Sequence, residues 1–162
     1  MISTMHQLAA GLALTAVTAL GVQAAGRVDV NFIEPAHFSD AGADVIERAR
    51  TLRILGEHLQ ALGARLPDAQ LLQVDVIDID LAGRLVPRAA GEVRVLRENV
   101  DFARMTLRYT LLIDGRAVKA GEDRISEIDS PRRTGHLSAR GDLAHDRALL
   151  ERWFNERFAP GH

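Results

Sequence analysis

The feature that most limits the fold is a pair of alternating runs separated by Asp114-Gly115. Before this dipeptide, apolar side chains occupy every second position, and after it Val118 and Ala120 resume the alternation. Alternation with a period of two is typical of a strand with one buried face. Asp-Gly favours the tight turn between antiparallel strands, because both central residues of that turn need a positive φ. The sequence therefore predicts a β-hairpin. Its apolar stripe consists of Met105, Leu107, Tyr109, Leu111 and Ile113.

Two helical stripes accompany the hairpin. Apolar residues recur at helical spacing from Val45 to Leu66, and Pro67 closes this stripe. Asp40 or Asp44 is expected to cap the start of this first helix. A second helix is predicted to follow Asp142, which can cap it. The apolar positions of the second helix are Leu143, Leu150, Trp153, Phe154 and Phe158.

Three further segments predict strands. Arg27 to Ile33 alternates as a half-buried strand does. Leu71 to Leu81 is rich in Val and Ile, but its apolar side changes after Val76. That change predicts a β-bulge, or a strand covered on both faces at its start. Glu92 to Arg97 predicts a short strand, and the preceding Ala82 to Gly91 is interpreted as a loop.

The order of these elements favours an α+β domain with an antiparallel or mixed β-sheet and two main helices packed on one face. Ser126 to Gly141 is polar and contains Pro131, so it predicts a loop. Residues 25–162 are expected to form a single domain, because that length suffices for one core. The chain has no cysteine, which excludes disulfides, thiol catalysis and cysteine-bound metals.

Residues 1–24 have the composition of a cleavable signal peptide. They contain no acidic residue, lysine or arginine, and Leu8 to Val22 is almost wholly apolar or small. This stretch of about 15 residues suits the core of a signal peptide and is shorter than the roughly 20 residues that span a bilayer. Cleavage is expected after Ala24, with Ala25 as the alternative. A buried N-terminal helix is the opposing interpretation. The sequence thus predicts a periplasmic protein with no transmembrane segment in its mature chain.

Asp75, Asp78 and Asp80 form the acidic cluster with the most suggestive spacing. On a regular strand, Asp78 and Asp80 project from one face about 7 Å apart. Two carboxylates so placed are able to bind a divalent cation or to act as an acid–base pair. The alternatives are a polar sheet face, or a turn that Asp80 forms with the backbone before Ala82-Gly83.

Charge and aromatic residues indicate other candidate contacts. The formal net charge of −2 argues against a nucleic-acid-binding protein. Arg132, Arg133 and Arg140 in the predicted loop are candidates to contact an anionic component of the envelope, and a solvated loop is the alternative. Trp153 is a candidate contact for an envelope protein if it is partly exposed, and a core residue otherwise. No catalytic motif is present in the sequence, and no cofactor is expected.

Several segments resemble one bacterial family. Val28-Asp29-Val30-Asn31-Phe32 is similar to its opening motif, and Val76 to Gly83 is similar to its central one. Arg108 to Leu111 and the closing Trp153-Phe154 also match. The chain thus resembles the domain of unknown function family 3016, a set of small exported bacterial proteins. The resemblance implies the fold and export but no mechanism.

Two hypotheses follow for the function. The first is a non-enzymatic module of the cell envelope that binds a protein or another envelope component. Its motivation is the absence of catalytic motifs in the sequence together with the family resemblance. The second is a metal-binding protein or a metal-dependent hydrolase that uses Asp78 and Asp80.

Overall fold

The computed structural model describes residues 25–89, 91–95, 102–127 and 143–158. Within these ranges the chain forms a four-stranded sheet, a two-stranded sheet and two α-helices. The predicted α+β class is therefore confirmed. In chain order the elements are β1 (Arg27–Phe32), α1 (Val45–Leu62), β2 (Gln70–Asp80), β3 (Arg84–Arg88), β4 (Gly91–Val95), β5 (Arg104–Ile113), β6 (Arg116–Ser126) and α2 (Ala144–Phe158).

The larger sheet is mixed and has the strand order β1-β2-β5-β6. β1 and β2 run parallel and are joined through α1, whereas β2–β5 and β5–β6 are antiparallel. One hydrophobic cluster contains Leu59 of α1, Phe154 of α2, and Leu72 and Leu107 of the sheet. Both helices thus pack on the same face of this sheet, as the order of elements predicts.

The hairpin of β5 and β6 turns at the predicted dipeptide. Asp114 and Gly115 have φ values of 50° and 75°, so both adopt the positive φ that the turn requires. β6 continues to Ser126, the residue at which the sequence predicts a loop to begin.

The change of apolar side in β2 is produced by a β-bulge. The pairing of β2 with β5 shifts in register between Val76 and Asp78. The shift places Val76 and Ile79 in the core, where 2% and 0% of their surfaces are exposed. Asp78 and Asp80 consequently project from the opposite face. The bulge predicted after Val76 is confirmed, and it decides which side chains leave the core.

The loop predicted from Ala82 to Gly91 is wrong in part. β3 lies within it and pairs antiparallel with β4. β3 contains Pro87, and β3 and β4 form a two-stranded sheet in which each strand is an edge. An edge strand tolerates proline, because its missing N–H need not face the partner strand. The predicted strand from Glu92 overlaps β4.

Asp44, and not Asp40, caps α1. Its carboxylate accepts the backbone N–H groups of Ile46 and Glu47, each at 2.8 Å. Glu47 accepts the N–H of Ala43, the residue before the cap, at 2.9 Å, so both carboxylates accept backbone donors at the start of α1. Val45, the first residue of the predicted apolar stripe, is 73% exposed, and the buried positions of α1 begin at Thr51. The predicted cap Asp142 lies outside the described residues.

Substitution by alanine is expected to change the free energy of unfolding in opposite directions at Gly56 and Gly63. The helical pattern alone would predict stabilisation at both, because glycine is unfavourable inside a helix. A Cβ at Gly56 lies 3.5 Å from the Phe32 ring, an ordinary contact. Gly56→Ala is therefore expected to raise the free energy of unfolding by up to about 1 kcal/mol. A Cβ at Gly63, just after α1, lies 2.7 Å from the backbone nitrogen of Val28 in β1. Gly63→Ala is therefore expected to lower the free energy of unfolding by about 1–3 kcal/mol.

Urea unfolding of the two variants beside the wild type measures both effects. Stabilisation by alanine at both positions would show that β1 does not approach the end of α1 as closely as the structure places it.

Candidate functional site

The larger sheet has a second face, which carries polar side chains and is here called the open face. It is formed by the residues that alternate with the core positions of β1, β2, β5 and β6. Both described helices pack on the other side of the sheet. The side chains at the centre of the open face are Asp29, Asn31, Gln73, Asp75, Arg108, Thr110 and Glu122, all of them exposed or half-buried.

One row of the open face crosses all four strands. The register aligns Asn31, Asp75, Arg108 and Glu122 from β1 to β6. Asn31 donates its side-chain N–H to Asp75 Oδ1 at 3.3 Å. Arg108 lies opposite Asp75 in register, but its guanidinium donates to Glu122 Oε2 at 3.2 Å. Within the described part of the chain, Asp75 is therefore a carboxylate without an ion-pair partner.

A groove of about 310 Å³ lies on the open face. The polar side chains that line it come from β1, β2 and β5: Asp29, Asn31, Gln73, Asp75, Arg108 and Thr110. Asp29 approaches Arg27 Nε at 3.5 Å, and both side chains are more than half exposed. Such an exposed pair contributes little to stability. The lining is suited to binding charged and hydrogen-bonding groups.

The predicted metal candidates Asp78 and Asp80 have separate partners. Asp78 accepts the backbone N–H of Ser39 at 2.7 Å and the Ser39 hydroxyl at 2.8 Å. Asp80 accepts a hydrogen bond from the guanidinium of Arg104 at 3.2 Å. Among the described residues, no group of three or more His, Asp or Glu side chains is placed to hold a metal ion. The two carboxylates therefore have the geometry of a polar sheet face.

The other predicted contact residues fall into two groups. Arg132, Arg133 and Arg140 lie outside the described residues. Trp153 is only 3% exposed, and its indole N–H donates to Asp123 Oδ2 at 2.9 Å. Trp153 thus takes the core role and is not part of an exposed surface.

A partly buried polar cluster lies at the end of β2, and no pattern in the sequence indicates it. Arg94 of β4 binds both carboxylate oxygens of Asp40, at 2.8 and 2.7 Å. Asp146, in the first turn of α2, accepts the backbone N–H of Ala82 at 3.2 Å. The cluster thereby joins the segment before α1, the β3–β4 hairpin and the start of α2.

Burial shifts the pKa of one member of this cluster, Asp146. Asp146 is 3% exposed, and loss of hydration raises its pKa to about 6, although the Ala82 N–H and the charge of Arg94 act in the opposite direction. None of these residues lines the groove on the open face. The cluster is therefore a structural junction.

Comparisons with known proteins give one match. A family model described as "Protein of unknown function (DUF3016)" matches residues 26–156, which span every described strand and most of α2. No curated protein and no solved structure matches the chain. Of the helices that the structure describes, none is both long enough and apolar enough to cross a membrane.

Proposed function

The chain belongs to the DUF3016 family of proteins of unknown function, and from the geometry of its sheet we propose that it is an exported protein of the cell envelope that binds another protein through the open face. The observation that carries this proposal is the groove on that face, together with the carboxylate of Asp75 within it, which has no ion-pair partner among the described residues.

The chemistry of the groove supports binding. Its polar side chains are two carboxylates, two amides, a hydroxyl and a guanidinium. These groups recognise a partner through hydrogen bonds and charge, which give an interface its specificity and orientation. The composition of residues 1–24 supports export.

The distribution of charge favours a protein as the partner over an anionic polymer. Carboxylates and guanidinium groups alternate across the open face, as Asp75, Arg108 and Glu122 do along one row. A surface that binds a polyanion needs an excess of positive charge, which this row lacks. Mixed charges complement the equally mixed surface of another protein.

Photo-crosslinking in cells tests the export and the binding together. The full chain, with a C-terminal tag, carries a photoreactive phenylalanine analogue in place of Gln73 on the open face. The matched control replaces Gln60, another exposed glutamine, which lies on α1. After irradiation we expect a discrete adduct from the Gln73 variant in the periplasmic fraction, and at most one-tenth as much from the Gln60 variant.

The same experiment distinguishes a failure of the proposed export from a failure of the proposed binding. Tagged chain that remains in the cytoplasm with Met1 intact would contradict export. Equal adducts from both positions, or none from Gln73 in repeated preparations, would contradict binding through the open face. A second pair of variants, Asp75→Arg and Asp68→Arg, provides an independent check. Asp75 lines the groove and Asp68 is an exposed aspartate outside it, so only Asp75→Arg is expected to reduce the Gln73 adduct.

A further inference from the structure

We infer that the groove on the open face receives a cationic side chain of the partner, a guanidinium or an ammonium group, between Asp29 and Asp75. This inference rests on the proposed function, because it names the chemistry that the open face recognises.

The first argument is the charge that the groove leaves uncompensated. Arg108 is the cationic group in its lining, and it is engaged by Glu122, which lies on the neighbouring strand and outside the lining. Asp75 accepts a hydrogen bond from the neutral amide of Asn31 at 3.3 Å. Asp29 has an exposed, long contact to Arg27. The lining therefore holds two carboxylates and one guanidinium, and a positive charge from the partner complements the excess of carboxylate.

The second argument is the register of β1 and β2. Asp29 pairs with Gln73 and Asn31 pairs with Asp75, so the two aspartates lie on adjacent strands and two residues apart along them. Strand spacing and rise per residue place their Cα atoms roughly 8 Å apart. A guanidinium carries five N–H donors around a plane and is able to bond carboxylates on two sides.

The third argument concerns the size of the occupant. Pockets that enclose small molecules measure about 300–1,000 Å³, and this groove has about 310 Å³. It is thus at the lower limit for a whole ligand, but it is large enough for the end of one side chain. A divalent cation is disfavoured, because the described residues contain no group of three or more His, Asp or Glu side chains placed to hold a metal ion.

NMR titration with a defined probe tests this inference. The probe is the blocked peptide acetyl-Gly-Gly-Arg-Gly-Gly-amide, and its control contains citrulline, the neutral isostere of arginine. We expect the arginine peptide to shift the amide signals of Asn31, Asp75 and Thr110 at millimolar concentration. The citrulline peptide should bind at least fivefold more weakly.

Matched variants complete the test. Asp29→Asn and Asp75→Asn should each weaken the arginine peptide at least threefold, whereas Asp68→Asn, an exposed aspartate outside the groove, should have no effect. Equal binding of the two peptides, or unchanged binding to Asp75→Asn, would overturn the inference. If that happens while the Gln73 variant still captures a partner, the proposed function stands and only its cationic chemistry is wrong. Binding of the arginine peptide without any Gln73 adduct would support the groove chemistry and contradict the proposed function.

Discussion

Ionisation of Asp146 is expected to lower the free energy of unfolding by about 3 kcal/mol as the pH rises from about 4 to above 6. Burial raises the pKa of this carboxyl from 3.8 to about 6 in the folded chain. The folded chain therefore binds this proton more tightly than the unfolded chain does. The resulting stabilisation is complete below the unfolded pKa and is lost as the pH rises through the folded one. At about 1.4 kcal/mol per pH unit, the two values give the order of magnitude stated.

Asp146→Asn is the variant that tests this expectation. Asparagine keeps an oxygen that is able to accept the Ala82 N–H but carries no titrating proton, so its stability should not follow that pH dependence. The measurement is urea unfolding of wild type and variant between pH 4 and pH 7.5. The difference between the two curves, and not either curve alone, is the informative quantity.

The difference between the two curves is needed because the ionisation of His58 changes the free energy of unfolding with pH in the opposite direction. His58 is half-buried with a ring nitrogen 3.1 Å from the Arg147 carbonyl oxygen, and burial lowers its pKa below 6.5. Its contribution is therefore lost as the pH falls through that region. Because both chains contain His58, it cancels in the difference. Parallel curves for wild type and Asp146→Asn would show that Asp146 ionises in the folded chain as it does in water, and Asp68→Asn serves as the exposed control.

The junction around Asp146 also shows where prediction from sequence reaches its limit. The hairpin at Asp114-Gly115 was predictable, because the signal that specifies its turn lies within a few residues. Asp146 gives no such signal, since an aspartate in the first turn of a helix is ordinary. Asp146 is buried where it accepts the N–H of Ala82, a residue that is remote from it in the chain.

The sequence predicts which side chains of β2 lie on the open face, but not which of the charged side chains on that face form ion pairs. The reversal of the apolar pattern after Val76 predicted the bulge that turns Asp78 and Asp80 outward. The sequence also showed the three aspartates of β2 as a group. It did not show that Arg108 pairs with Glu122. Regular pairing from the Asp114-Gly115 turn would align Arg108 with Gly121, but a register shift between Leu111 and Leu112 moves the pairing by one residue. The pairing of Arg108 with Glu122 thus depends on that shift.

Replacing Trp153 by alanine is expected to lower the free energy of unfolding by about 3–5 kcal/mol, the usual cost of removing a buried aromatic side chain. The Trp153 ring lies edge-on to those of Tyr109 and Phe158, with centroid distances of 6.0 and 5.3 Å. Trp153→Phe should cost less, about 1 kcal/mol, because it retains most of the apolar surface and removes the hydrogen bond to Asp123. Asp123 keeps its contact with Arg157 at 2.7 Å, which limits that cost.

Circular dichroism during urea unfolding measures both variants, since Trp153 is the sole tryptophan and its fluorescence is lost with it. If Trp153 is a core residue, Trp153→Ala must lower the free energy of unfolding much more than Trp153→Phe does. A residue that contacts a partner would behave differently: Trp153→Ala would unfold at the wild-type urea concentration and would abolish the Gln73 adduct. Because the ring is enclosed between β5, β6 and the end of α2, we expect the variant to lose the adduct only to the extent that it unfolds. At 10 °C, where folding is favoured, Trp153→Phe should therefore capture the partner as well as the wild type does.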